Sequence, residues 1–371
     1  MTWYTLHDPG TIDTPALLLY PDRIRSNIAQ AVALAGGAAR LRPHVKTHKL
    51  AEVARMHREA GIDAFKCATL AEAEMLARIG APDVLLAHQP VGPKAQRLCA
   101  LARAYPDTRF AAIVDDAAAA THLAACCRAA GTDPLDVLLD LDVGMGRTGI
   151  APGPDAQALY RLLFELPGLR AAGLHAYDGH LRQSDRTARQ QAADHTYGLA
   201  AAFRDTLLAT GLPVPILVIG GTPTFPCHAQ RPDVCLSPGT FPLWDAGYSS
   251  LFPDLPFVPA AVLATRIVSK PGGDRICLDL GHKAVAAENP IDRRVHFPDV
   301  EVVEWLGQSE EHLVLRVADP ARHQVGDLWY GLPWHICPTT ALYGTVQVVG
   351  AGVVEDEWRV VARDRRLTDG I

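Results

Sequence analysis

An α/β fold is predicted for this chain of 371 residues: a (β/α)8 TIM-like barrel over residues 20–247, with residues 1–19 and 248–371 forming an antiparallel β domain. Three observations predict it. Eight short apolar runs, at 42–45, 64–67, 84–87, 110–114, 137–141, 172–176, 216–219 and 234–236, have the length of strands. Alanine- and leucine-rich stretches with helical spacing lie between most of them, such as LAEAEMLARIG and DAQALYRLLFELPG, and end in Gly or Pro-Asp stop signals. After about residue 247 these stretches give way to AAVLATRIVSK, RICLDLG, HLVLRVA and TVQVVGAGVVE, with Gly and Pro turns between them, an antiparallel pattern. A doubly wound open sheet is the alternative for the first part, and the lack of a GxGxxG turn after the first strand counts against it.

Composition narrows the function classes. The chain is 49% hydrophobic and 20% charged, as expected of a soluble globular protein. A net charge of −6 implies no basic face for nucleic acid. No apolar run reaches the roughly 18–20 residues of a membrane span. The start, MTWYTLHDPG, lacks the basic end and apolar core of a signal peptide, so a cytoplasmic location is expected. The eight cysteines are scattered without a CxxC pair, which predicts reduced thiols, and Cys126-Cys127 within THLAACCRAA reads as helix packing.

In chain order, residues 13–20, DTPALLLY, make a strand-like run after a turn. Next comes RPHVKTHK, residues 42–49, read as the end of the first barrel strand feeding a helix. Chemistry in parallel α/β folds sits at such strand ends. A lysine there becomes a Schiff-base nucleophile once its surroundings lower its pKa; the competing reading is a basic turn left in solvent. Lys46 is nearer the strand end than Lys49, which starts the helix. After the fifth run comes DLDVGMGRTGI, where glycines flank Arg147 and let the backbone approach a ligand. After the sixth comes HAYDGH, with Tyr177 and His180. IGGTPTF follows the seventh and SPGTF the eighth, so Gly221, Thr222, Gly239 and Thr240 lie where barrels commonly hold a phosphate. Two such turns with a lysine after strand one point to pyridoxal 5′-phosphate (PLP). In the β domain, WHICPTT sets His335 and Cys337 two apart, on one face if the segment is a strand. Imidazole plus thiolate is a start for a divalent metal site, with packing as the competing reading.

RPHVKTHK, YDGH, GGTPT, SPGT and the late His-x-Cys together resemble the D-threonine aldolase and D-serine dehydratase family, fold-type III PLP enzymes with an alanine racemase-like barrel. The resemblance spans nearly the whole chain. It implies that Lys46 carries the internal aldimine, that Arg147 and Tyr177 line the pyridine ring, and that the turns at Gly221-Thr222 and Gly239-Thr240 hold the phosphate. It also implies His180 as an acid/base near the substrate hydroxyl, His335 and Cys337 as ligands of Mn, Mg or Zn, and a homodimer. Aldolases of the family carry His-x-Asp at the metal pair and dehydratases His-x-Cys; this chain has His-x-Cys. The remaining motifs, HAYDGHL and HICPTTAL, look like the aldolase group. The resemblance thus implies a lyase for β-hydroxy D-amino acids, of aldolase type (glycine and an aldehyde) first, with a dehydratase type (a keto acid and ammonia) as the alternative. A racemase is the further alternative, with Tyr330 or Tyr343 offered as its second base.

Overall fold

The computed structural model describes residues 2–368. The chain opens with β1 (Ala16–Leu19) and α1 (Pro21–Ala35), and α2 (Ala51–Glu59) follows the Lys46 turn. Strands and helices then alternate: β2 (Ala64–Cys67), α3 (Leu70–Arg78), β3 (Asp83–Leu86), α4 (Pro93–Ala104), β4 (Arg109–Val114), α5 (Ala117–Ala130), β5 (Leu135–Leu141), α6 (Pro154–Glu165), β6 (Leu169–Ala176), α7 (Arg186–Ala209), β7 (Ile216–Ile219), α8 (Phe225–His228) and β8 (Cys235–Leu236). After α9 (Ala246–Leu251) come β9 (Ala261–Ser269), β10 (Arg275–Leu278), β11 (Val295–His296), β12 (Val302–Gln308), β13 (Leu313–Val317), β14 (Leu328–Pro333), α10 (Ile336–Thr340), β15 (Thr345–Gly350) and β16 (Val353–Arg359). Helix starts follow capping chemistry: Thr69, Asp116 and Asp185 each accept the backbone N–H three residues on.

The described residues fall into two compact units. One comprises Ala29–Lys46, Ala54–Gly239 and the segment from Asp364; the other comprises the segment ending at Ile28, Thr47–Val53 and Thr240–Arg363.

In the first unit β2 to β8 form a parallel sheet in sequence order. It closes on itself through residues 41–44: Leu41 bridges Leu236, and His44 bridges Lys66. The first predicted strand is therefore reduced to two isolated bridges. The cause is local. Pro43 accepts from the Lys66 N–H but has no N–H of its own to give, and the chain then tightens into a 3-10 turn at Val45–Thr47. Leu85, Ala111, Ile113, Leu138, Ala172 and Val218 pack together as a core between the strands.

The beginnings of the strands carry alternating charges. Arg42 holds Asp83 with two bonds, Nη1–Oδ1 2.6 Å and Nη2–Oδ2 2.9 Å. Arg109 reaches Asp83 at 3.1 Å and also bonds Asp136, which Arg170 bonds too. Arg42, the first residue of the basic motif, thus serves the barrel rather than a ligand. Its side chain is 6% exposed and that of Asp83 19%. Losing one partner of a buried pair costs about 3–5 kcal/mol; Asp83 keeps some water and keeps Arg109, so Arg42→Met is expected to cost about 2–3 kcal/mol in urea unfolding.

The second unit is built on a nine-stranded sheet in the order β12-β13-β10-β9-β1-β15-β16, with β14 pairing β9 and β11. β1 runs antiparallel to β9 and parallel to β15. Its side chains Ala16 and Leu18 join Tyr4, Leu6, Ile12, Val262, Ala264 and Val349 in an apolar core.

Candidate active site

In the barrel unit three cationic side chains converge on one aromatic ring. Lys46 Nζ, Lys66 Nζ and Arg147 Cζ lie 5.9, 5.4 and 5.2 Å from the centroid of Tyr177. Among the described residues, neither Lys46 nor Arg147 forms an ion pair with a carboxylate. Such a cluster of cations suits an anionic aromatic ligand.

The ring itself is clamped. A Cβ on Gly179 would stand 2.1 Å from Tyr177 ring atoms, and one on Gly221 would stand 3.3 Å from its Cε2. Arg147 is carried by a loop tied at both ends. Asp142 Oδ1 accepts from Gly144 N (2.9 Å) and Gly146 N (3.0 Å), and Asp115 Oδ2 accepts from Gly149 N (2.8 Å). These amide bonds, that to Gly146 first, hold the Asp142 carboxyl below its usual pKa. His180 packs on this loop, with its Nε2 3.0 Å from where a Gly144 Cβ would be. Its buried Nδ1 has no hydrogen-bond partner. An orphaned polar atom beside the cation cluster favours a ligand group at that place.

The predicted phosphate turns meet. Thr222 Oγ1 accepts from Gly239 N at 2.9 Å, so the loops after β7 and β8 are stitched together. Gly221 N donates to Thr224 Oγ1, also at 2.9 Å. Thr224 in turn donates to Asp178 Oδ1 (2.7 Å), whose other oxygen accepts from His228 Nε2 (2.9 Å). Asp178 and His228 are fully buried. The loop that would cradle the phosphate is thus held from beneath by a side-chain network that sequence spacing did not reveal.

His175 opens the HAYDGH motif, but its partners Lys66 and Asp140 were not singled out by the sequence. His175 Nδ1 lies 2.6 Å from Asp140 Oδ1, and its Nε2 lies 3.4 Å from Lys66 Nζ. A carboxylate only accepts, so Nδ1 carries the proton and Nε2 accepts from the lysine. Burial, then the neighbouring Lys46 charge, pushes Lys66 down to about 7, against Asp140, Asp178 and Cys235. Desolvation likewise lowers His175. An amine whose folded pKa lies below its unfolded value binds fewer protons when folded. Its charge therefore destabilises the fold below pH 7, and the penalty fades as pH rises from 7 toward the unfolded value of about 10.4. Lys66→Met is expected to raise stability at pH 6, with the gain shrinking by roughly 1.4 kcal/mol per pH unit above 7. Denaturation of the two proteins at pH 6 and pH 9 measures it.

In the second unit His335 and Cys337 are neighbours, but not on a strand. His335 is the extended N-cap of α10, and Cys337 lies in its first turn. The helix starts there because Asp245 Oδ2 accepts the Ile336 N–H at 3.1 Å. Cys337 Sγ lies 3.2 Å from Thr47 Oγ1 and 3.5 Å from Thr240 Oγ1. Thr240, expected at the phosphate, thus turns its hydroxyl to the cysteine. Glu288 Oε1 holds His335 Nδ1 at 2.6 Å. Burial opposes ionisation of both, yet Cys337 is lowered by its bond to His335, and His335 is pushed up to about 9 by Cys337 and Glu288. A thiolate-favouring cysteine is what metal binding requires, and a carboxylate on Nδ1 leaves Nε2 as the donor nitrogen. Among the described residues no group of three or more His, Cys, Asp or Glu side chains forms a metal cage. The pair supplies one nitrogen and one sulfur donor of the kind a divalent cation takes.

The two tyrosines offered as a racemase base each hold one hydrogen bond within the second unit. Tyr343 donates to the Ala284 carbonyl at 2.8 Å, and Tyr330 accepts the Leu6 N–H at 3.0 Å. Burial raises the pKa of both.

Comparison with known proteins identifies the family and the fold. The family model of the alanine racemase N-terminal domain matches residues 20–240, and a putative serine dehydratase domain matches 260–349. A D-threonine aldolase from Arthrobacter sp. is 31% identical over 96% of this chain and 94% of its own length. D-threo-3-hydroxyaspartate dehydratase from Delftia sp. (strain HT23) is 28% identical over 94% of this chain and 97% of its own. Two structures of that dehydratase hold alanine in place of a histidine and of a cysteine two residues further on, the latter in a metal-free form. The crystal structure of D-threonine aldolase from Filomicrobium marinum matches with a TM-score of 0.86 and 29% identity, covering 95% of each chain. No helix among the described residues is long and apolar enough to cross a membrane. With the alanine racemase-like barrel, the antiparallel domain and relatives that match along both, this chain belongs to the D-threonine aldolase and D-serine dehydratase family of fold-type III, PLP-dependent lyases.

Proposed function

We propose that the enzyme is a PLP- and divalent-metal-dependent lyase for β-hydroxy D-amino acids, of D-threonine aldolase type, releasing glycine and an aldehyde. The observation that carries the cofactor reading is the convergence of Lys46 and Arg147, without carboxylate partners, on the Tyr177 ring. Lys46 would hold the cofactor through its ε-amine, Tyr177 and Arg147 would line its ring, and the Gly221-Thr222 and Gly239-Thr240 turns would take its phosphate through donors other than the Gly221 and Gly239 N–H groups, which Thr224 and Thr222 accept. Bound there, PLP supplies an electron sink for a bond at the substrate α-carbon. His335 and Cys337 would hold the cation, which supplies Lewis acidity at the substrate β-oxygen. His180 would take the proton of that hydroxyl, a role its buried, unpartnered Nδ1 supports. The two hydroxyls against Cys337, those of Thr47 and Thr240, each directly follow in sequence a residue of the cofactor set, Lys46 and Gly239.

The cysteine supports a second reading, a dehydratase giving a keto acid and ammonia. The Delftia dehydratase has a histidine and a cysteine at the spacing of His335 and Cys337. In that reaction Lys46 would take the α-proton instead. Incubation with D-threonine and with D-threo-3-hydroxyaspartate separates the two. Glycine and acetaldehyde from D-threonine are expected; a keto acid and ammonia with no glycine would replace the aldolase reading by the dehydratase. Activity untouched by EDTA dialysis would remove the metal from both. The reading includes a two-fold homodimer, the commonest assembly, which sedimentation of the holoenzyme at twice the chain mass would support and at the mass of one chain would refute.

A further inference from the structure

We propose that Lys66 is a second carbonyl-reactive amine of the barrel site, which takes up the aldehyde of the cofactor when Lys46 is absent. The proposal rests on the reading of that site as a PLP site. It starts from a parity of position. Lys66 Nζ is 5.4 Å from the Tyr177 centroid and Lys46 Nζ is 5.9 Å, so the two amines stand at similar range from one ring. Both project from neighbouring positions of the barrel, where His44 bridges Lys66 and Pro43 accepts its N–H.

The surroundings of Lys66 favour the form that reacts. An amine attacks a carbonyl only when unprotonated. Lys66 is 3% exposed, and burial, the larger of the causes that disfavour its ammonium form, persists when Lys46 is absent. The other groups bearing on it are Asp140, Asp178 and Cys235, which favour the charge, and His175. Because Nδ1 of His175 is committed to Asp140, its Nε2 lone pair faces Lys66 and can receive the proton that the amine sheds. No carboxylate is ion-paired with Lys66 among the described residues.

The step balances without an oxidant. The Nζ lone pair adds to the aldehyde carbon, the two amine protons leave on the carbonyl oxygen as water, and C=N replaces C=O. Borohydride then adds hydride to that carbon and solvent protonates nitrogen, leaving a stable secondary amine. Lys46 takes the cofactor in the wild type because it is only partly buried, whereas Lys66 is enclosed and bonded to His175.

The experiment is borohydride trapping with peptide mapping on full-length protein loaded with PLP. Wild type is expected to carry the pyridoxyl group on Lys46. Lys46→Ala, and Lys46→Arg as the charge-conserving variant should the first not fold, are expected to carry it on Lys66. Lys46→Ala combined with Lys66→Met is expected to lose the label and the long-wavelength absorbance. Wild type labelled on Lys46 with both single variants unlabelled, or labelled at another lysine, overturns the proposal and leaves the cofactor reading intact. Wild type that neither binds PLP nor is labelled overturns both.

Discussion

Cys337→Ala is expected to lose at least about a hundredfold in turnover while keeping the bound-cofactor absorbance and the fold. The separation follows from what the side chain touches. Cys337 Sγ meets His335, Thr47 and Thr240, and none of these is among the side chains gathered on Tyr177. Removing the thiol takes away half of a two-residue donor pair, and one imidazole alone is a poor site for a divalent ion. Replacement by Asp offers a test of chemistry rather than of space, since a carboxylate suits harder cations such as Mn or Mg. Cys337→Asp is expected to recover part of the activity lost in Cys337→Ala when Mn or Mg is supplied. Cys337→Ala with full activity, before and after EDTA, would return the pair to a packing role.

Much of the barrel is legible in the sequence because each of β2 to β7 is a short apolar run bounded by helical spacing, and burial of both faces demands that composition. The residues that gather on Tyr177 from different loops, Lys46 and Arg147, were found because each sits after a strand, where the fold points side chains to one end. What escaped is what depends on register. Lys66 lies inside the run AFKC and looks like an interruption of a strand; only the pairing of β2 with residues 41–44 turns it toward His175. The Asp140–His175 bond joins residues paired across β5 and β6, and no local pattern announces it. Glu288 and Asp245 reach His335 and α10 from far along the chain. The His-x-Cys spacing was legible, but its setting was not. Two ring-bearing residues, two threonines and a proline in WHICPTT look equally like strand and turn, and it is the distant Asp245 carboxylate that selects the helix start.

Gly179→Ala is expected to weaken cofactor binding by about ten- to hundredfold while leaving the barrel folded, a loss of roughly 1.4–2.7 kcal/mol. Gly179 carries no positive φ, so the backbone itself accepts a side chain. The obstacle is space. The new methyl would stand 2.1 Å from the Tyr177 ring, and at Gly221 too an added Cβ would crowd that ring, at 3.3 Å from its Cε2. The ring must swing out of the slot, and Lys46, Lys66 and Arg147 lose the aromatic face they share. Because Tyr177 is partly exposed, it can move toward solvent at little cost to the core, which is why stability is spared. Tyr177→Ala is the control: it removes the same ring without crowding Gly179, and its cofactor affinity should fall to a similar level. The double substitution should then be no worse than either single one, since both act through one ring. Fluorescence titration of the apoproteins with PLP measures all four. Wild-type affinity in Gly179→Ala, with Tyr177→Ala impaired, would mean that the ring adapts within its slot and that the glycine is there for another reason.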